Sequence, residues 1–167
     1  MSLPIVELQN VLDAITASDT PLQTLLLTPH LSNTSNTPDE THLRTVLRLP
    51  ANTVILQHND PLNHWPTTAP EIYDLAMILD LDLYASDLVN TLIAHLRDRA
   101  CRQLLVALSV NADQHAWTTR LLSLGLSGIN TASHNIYEFN ISHYKTVPDW
   151  LNSKHWANPE HWNKHRW

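Results

Sequence analysis

From Leu3 to Ile15 the apolar residues Ile5, Leu8, Leu12 and Ile15 recur at helical spacing, with Val11 beside them and Pro4 in the first turn. This pattern predicts an amphipathic helix. The period then changes. Leu22–Thr28 is a short apolar run closed by Pro29, and Asn52–Gln57 holds Val54-Ile55-Leu56. Ile72–Asp80 and Gln103–Ser109 are similar in length and composition. Runs of this kind, bounded by polar or proline-containing turns, read as strands buried on both faces. Between them lie helical segments. Thr37-Pro38-Asp39-Glu40 matches a capping box and starts a helix to Arg48. Ser86 can cap a helix over Asp87–Arg99, whose Leu88, Leu92, Ile93 and Leu96 share a face, and Ala112–Leu124 carries Trp117, Leu121 and Leu124 on one side before Gly125.

Residues Ser127–Ser133 and Asn135–Tyr144 flank Ser133-His134-Asn135, and Ile136, Tyr137, Phe139 and Ile141 favour strand, so an antiparallel hairpin is expected. The segment 145–167 shows neither period; it is expected to pack irregularly on a body formed by 1–144, the two making one domain. Strands alternating with helices predict an α/β fold, a mostly parallel sheet with helices on both faces and the hairpin at one edge.

Composition sharpens this picture mainly by exclusion. The chain of 167 residues has two glycines, Gly125 and Gly128, where average usage would give roughly twelve. Backbone that cradles a phosphate needs glycine, and none occurs before residue 125. Residues 1–142 carry six Arg, no Lys and fourteen acids, a net charge of −8, whereas residues 143–167 carry +2. An acidic body disfavours nucleic-acid binding. A lone Cys101, no leader-like start and no apolar stretch near a membrane span give the expectation of a cytoplasmic protein with no membrane partner. The neighbours of Cys101 suggest burial, and no catalytic role is expected for it.

The order Ile72–Asp80, helix, Gln103–Ser109, helix ending Leu124-Gly125-Leu126, then the strand pair Ser127–Tyr144 resembles the second half of class I S-adenosylmethionine-dependent methyltransferases. Over residues 20–145 the resemblance implies a three-layer, Rossmann-like fold. In that family a glycine-rich turn after the first strand and an acidic residue ending the second hold the cofactor. Here those places read Thr28-Pro29-His30-Leu31-Ser32 and Gln57-His58, with Asp60 nearby, and one helix and one strand of the first half are missing. The resemblance therefore implies a degenerate fold that has lost its cofactor. The ending DWLNSKHWANPEHWNKHRW is also similar to a group of small uncharacterised bacterial proteins, and that similarity carries no function with it.

In open α/β sheets, ligands sit beyond the carboxyl ends of the strands where strand order reverses. That places His58, Asp60, Asp80 and Asp82 as the candidate binding residues, His58 and Asp60 belonging to a fourteen-residue loop of the length that often carries function. The plainer account is that Asp60 before Pro61 makes a turn and that Asp80 and Asp82 punctuate a strand. In the tail, His155, His161 and His165, with His143 and Glu160, could ligate a metal, although their spacing matches no zinc motif. Trp150, Trp156, Trp162 and Trp167 could instead pack on the sheet edge or anchor a protein partner. The expectation is a non-catalytic binding or regulatory module with no cofactor or metal. The alternatives are a small-molecule transferase or hydrolase using His58, Asp60 and Asp80, and a metal-binding protein using the tail histidines.

Overall fold

The computed structural model describes residues 5–16, 22–30, 40–67, 70–129 and 135–144. Helix α1 spans Ile5–Thr16, α2 Glu40–Val46, α3 Ser86–His95 and α4 Gln114–Ser123, with a short helical turn at Ile141–Tyr144. The strands are β1 Thr24–Thr28, β2 Thr53–Gln57, β3 Tyr73–Ile78, β4 Cys101–Ala107, β5 Ser127–Gly128 and β6 Ile136–Asn140. Among the described residues these form one mixed sheet in the order β2-β1-β3-β4-β6-β5. The first four run parallel, and β6 is antiparallel to both β4 and β5. The architecture is therefore α/β.

Strand β1 shows why the central runs are apolar throughout. Its Thr24–Thr28 pair with Thr53–Gln57 on one side, and Thr24–Leu27 pair with Leu75–Ile78 on the other, so no edge meets water. Alternate residues then feed two apolar clusters. Leu25, Leu27, Ala76, Ile78, Leu104 and Val106 pack with Val89, Leu92 and Ile93 of α3 and Leu121 of α4. Leu26, Leu75, Met77 and Leu105 pack with Leu8 and Leu12 of α1 and with Leu43 and Leu47 at α2. Each fully buried leucine contributes roughly 1.5–3 kcal/mol, so the two clusters dominate the stability of the fold.

Two helix ends have the same closing geometry with different residues. After α4, Gly125 adopts φ 83°, its N–H donates to Leu122, and the N–H of Leu126 donates to Leu121. This is a Schellman close, in which a left-handed residue turns the last carbonyls inward. After α2, the Leu49 N–H donates to Arg44, and the left-handed position at φ 44° is filled by Arg48.

Several boundaries differ from the expectation. Ser86 is the first residue of α3, preceded by Ala85 with no side-chain cap, because its hydroxyl and carbonyl both accept from the Arg120 guanidinium on α4. Residues 141–144 turn as a helix instead of extending the hairpin. The reason is Asn140, whose Oδ1 accepts from both the N–H and the hydroxyl of Ser142, at 2.9 and 2.5 Å, and this local cap outweighs the strand preference of Ile141. Paired β5 is two residues long, with Ser127 opposite Glu138 and Gly128 opposite Tyr137. Of the Thr37–Glu40 capping box, Thr37, Pro38 and Asp39 lie outside the described residues, and Glu40 is the first residue of α2. The turn of the hairpin and the Trp/His-rich segment 145–167, with Trp150, His155, Trp156, Glu160, His161, Trp162, His165 and Trp167, lie outside the described residues.

Candidate functional site at the carboxyl ends of the parallel strands

The chain leaves β1 for β2 on one side and leaves β3 for β4 on the other, so the strand order reverses between β1 and β3. The loops after the four parallel strands gather at this end of the sheet. Next to β1, the His58 N–H donates to the Thr28 carbonyl at 3.1 Å, and the His30 N–H donates to Asn59 Oδ1 at 2.8 Å. The turn after β1, with Pro29 buried, is thus tied laterally to the loop after β2.

That second loop is largely self-contained. Asp60 accepts from the side chain of Asn63 at 2.6 Å and from its backbone N–H at 3.3 Å. The side-chain bond is the main cause that holds the Asp60 carboxyl below its ordinary range, with His64 and His58 adding to it. His58 Nδ1 accepts the Asp60 N–H at 2.9 Å, His64 Nδ1 lies 3.0 Å from the Asp60 carbonyl oxygen, and the two rings stack with centroids 3.5 Å apart. Asp-Pro turn chemistry accounts for this arrangement.

The two acids after β3 have different surroundings. The Leu83 and Tyr84 N–H groups donate back to Asp80 and Leu81, winding Leu81–Leu83 into a tight helical turn. On that turn Asp82 reaches across to β4 and accepts from Ser109 twice, at its N–H (2.8 Å) and its hydroxyl (2.5 Å). The network continues: Asn135 Nδ2 donates to the Ser109 carbonyl, and Asn135 Oδ1 accepts from Gln114 Nε2 at 2.8 Å. Asp80 is 1% exposed and left-handed at φ 49°, and among the described residues neither carboxylate oxygen accepts a hydrogen bond. Burial, and secondly the charge of Asp82, push its carboxyl up to about 6. The buried hydroxyl of Tyr84 is likewise unpartnered, and burial with the nearby charge of Asp80 pushes it upward too.

The candidate residues therefore fall into three settings. Asp60 and His58 are bound within their own loop, Asp82 joins two strands, and Asp80 is buried with no hydrogen-bond partner among the described residues. No hydrogen bond links His58 or the Asp60 carboxylate to Asp80. Ser109, Tyr84 and Asn135 belong to this end of the sheet and were not singled out by the sequence. Their positions just past β4, past the turn after β3 and just before β6 are the only sequence signal that could have found them. Among the described residues no group of three His, Cys, Asp or Glu side chains could hold a metal ion, and the tail histidines lie outside them.

The chain matches the family of unknown function DUF6231 over residues 6–167, from α1 through the final tryptophan. It belongs to this family. No curated protein and no solved structure matches the chain. In this DUF6231 protein the single thiol lies away from the carboxyl ends of the strands. Cys101 opens β4, is buried, and donates through Sγ to the Leu96 carbonyl at 3.2 Å; burial pushes the thiol up to about 12. Such a group is a poor nucleophile. No helix among the described residues is long and apolar enough to cross a membrane.

Proposed function

We propose that this DUF6231 protein is a non-catalytic binding or regulatory module on a degenerate methyltransferase-like fold. Its ligand would sit beyond the carboxyl ends of the parallel strands. The Rossmann-like, three-layer part of this reading is supported by the reversal of strand order between β1 and β3 and by helix side chains packing with alternate strand residues in two clusters. The loss of cofactor rests on the turn after β1. Its His30 N–H is taken by Asn59 and its Thr28 carbonyl by His58, and Pro29 stands where a close-approach glycine would be needed. A cytoplasmic setting belongs to the same reading, supported by the free buried Cys101.

The observation that carries the proposal is the pairing of a strand-order reversal with a buried, unpartnered acid, Asp80, beside it. Buried polar groups without partners are rare and call for an explanation. The transferase or hydrolase alternative lacks a joined His–Asp pair, since His58 bonds to the Asp60 backbone and the Asp60 carboxylate to Asn63.

Thermal unfolding with and without S-adenosylmethionine tests the cofactor claim. A ligand of the native state at one hundred times its dissociation constant adds about 2.7 kcal/mol, and no shift is expected. A saturable rise in melting temperature would overturn the reading. The location is tested by chemical-shift mapping of a small-fragment library. Perturbations are expected at Thr28–His30, Asp80–Tyr84 and Ser109, and clustering elsewhere would overturn the placement.

A further inference from the structure

Among the described residues, the loops at the carboxyl ends of β1–β4 are acidic. Residues 28–30, 58–67, 79–87 and 108–114 contain Asp60, Asp80, Asp82, Asp87 and Asp113 and no lysine or arginine. Arg120 reaches this end from α4, but its guanidinium is held by Ser86 and by Asn90. Arg97, Arg99 and Arg102 lie where α3 runs into β4, at the opposite end of the strands. Of these five loop acids, Asp60, Asp82, Asp87 and Asp113 each accept hydrogen bonds from the protein, whereas Asp80 accepts none. Buried unpartnered hydroxyls also occur at Thr24 and Tyr73, but those residues open β1 and β3 at the far end and carry no charge.

We propose that Asp80 anchors a ligand bearing a protonated amine, with the Tyr84 hydroxyl as a further contact. This inference rests on the binding-site reading above and names the ligand class. An ammonium group has three donors and no acceptor. The two Asp80 oxygens are unused acceptors beside the point of strand-order reversal, and the unpartnered Tyr84 hydroxyl is near enough to feel the Asp80 charge. A buried carboxylate is costly until it is paired with a cation and hydrogen-bonded; the chain's N-terminal amino group lowers the Asp80 carboxyl only as the smallest of three causes, so an amine in direct hydrogen-bonding contact supplies what is still missing. A phosphate or carboxylate ligand would instead bring like charge to a buried acid already facing Asp82. The strained left-handed backbone at Asp80 is consistent with a functional position.

The test is calorimetric and NMR titration of the full chain with methylammonium, spermidine, magnesium chloride, sodium acetate and sodium phosphate, following the Asp80 carboxyl carbon. The amines are expected to bind, to shift that resonance and to keep Asp80 ionised to lower pH. Asp80→Asn should weaken amine binding at least tenfold while remaining folded, because asparagine tolerates the left-handed region. Tyr84→Phe should weaken it severalfold. Amine binding unchanged in Asp80→Asn would overturn the proposal. Asp80-dependent binding of magnesium, acetate or phosphate in place of the amines would overturn the ligand class and leave the site standing. An Asp80 resonance that responds to no probe, with fragments also mapping elsewhere, would remove both.

Discussion

Ser109 donates twice to Asp82, through its backbone N–H at 2.8 Å and its hydroxyl at 2.5 Å, and so ties the turn after β3 to the end of β4. Asp80, two residues earlier on the same turn, has no hydrogen-bond partner among the described residues. Hydrogen bonds to a charged group contribute about 1.5–3 kcal/mol. Asp82→Ala is therefore expected to lower unfolding free energy by about that amount in urea titrations, and Ser109→Ala by less, since its N–H remains. Asp82→Asn should also lower the apparent pKa of Asp80, because the Asp82 charge helps to raise it. A titration of Asp80 that is unchanged in Asp82→Asn would mean that burial alone sets it.

Asp80 makes stability depend on pH in an unusual direction. Its carboxyl is raised from 3.8 to about 6 in the folded protein, so the folded state holds the proton more tightly than the unfolded chain. The stability it confers is complete below about pH 4 and is lost as pH rises through about 6. The loss is up to about 3 kcal/mol. Asp80→Asn should therefore be more stable than the parent at pH 8 by about 1–3 kcal/mol, and the difference should close toward pH 4. Denaturant titrations of both proteins across this range measure it, and parallel pH profiles would contradict the assignment.

Much of the sheet was legible because parallel strands buried on both faces leave unbroken apolar runs, as in Leu25-Leu26-Leu27, and the stripe of Leu8 and Leu12 needed only helical periodicity. The position of Asp80 and Asp82 after a strand was legible for the same reason. Their different surroundings were not. Ser109 lies 27 residues from Asp82, and the pairing depends on β3 and β4 being neighbours in register, Ile78 opposite Val106. Local competition hid the rest: Asn140 redirects Ile141 into a helical turn through two bonds to Ser142 that no propensity of Ile141 announces.

The scarcity of glycine has a measurable cost at Arg48. A left-handed residue with a Cβ is strained by about 1–2 kcal/mol relative to its right-handed form, and Arg48 occupies that conformation where the α4 close uses Gly125. Arg48→Gly is expected to stabilise the protein by about 0.5–1 kcal/mol, because relief of strain exceeds the extra entropy of unfolded glycine. Gly125→Ala, at φ 83°, should destabilise by about 1 kcal/mol or more. Melting temperatures moving in opposite directions would check both substitutions at once.

Cys101 should be inert while the protein is folded. Its thiol is buried, donates to the Leu96 carbonyl and is pushed up to about 12, so little thiolate forms at neutral pH. Reaction with an aromatic disulfide reagent is expected to be slow in buffer and to accelerate when urea unfolds the chain. Rapid stoichiometric labelling of the folded protein at pH 7 would show that β4 opens at its first residue.

The His58–His64 stack fixes two different tautomers. His58 Nδ1 accepts the Asp60 N–H, so in the neutral ring the proton sits on Nε2. His64 Nδ1 faces the Asp60 carbonyl oxygen, which can only accept, so that ring carries its proton on Nδ1. Long-range nitrogen–proton NMR spectra distinguish the two forms directly. The expected result is one histidine of each tautomer in this loop, with Asp60→Ala retaining both because the backbone supplies the bonds. Asn63→Ala removes the side-chain bond to Asp60, so the Asp60 carboxyl should return toward the ordinary range while both tautomers persist. Identical tautomers at His58 and His64 in the parent protein would show that the two rings are not held by Asp60.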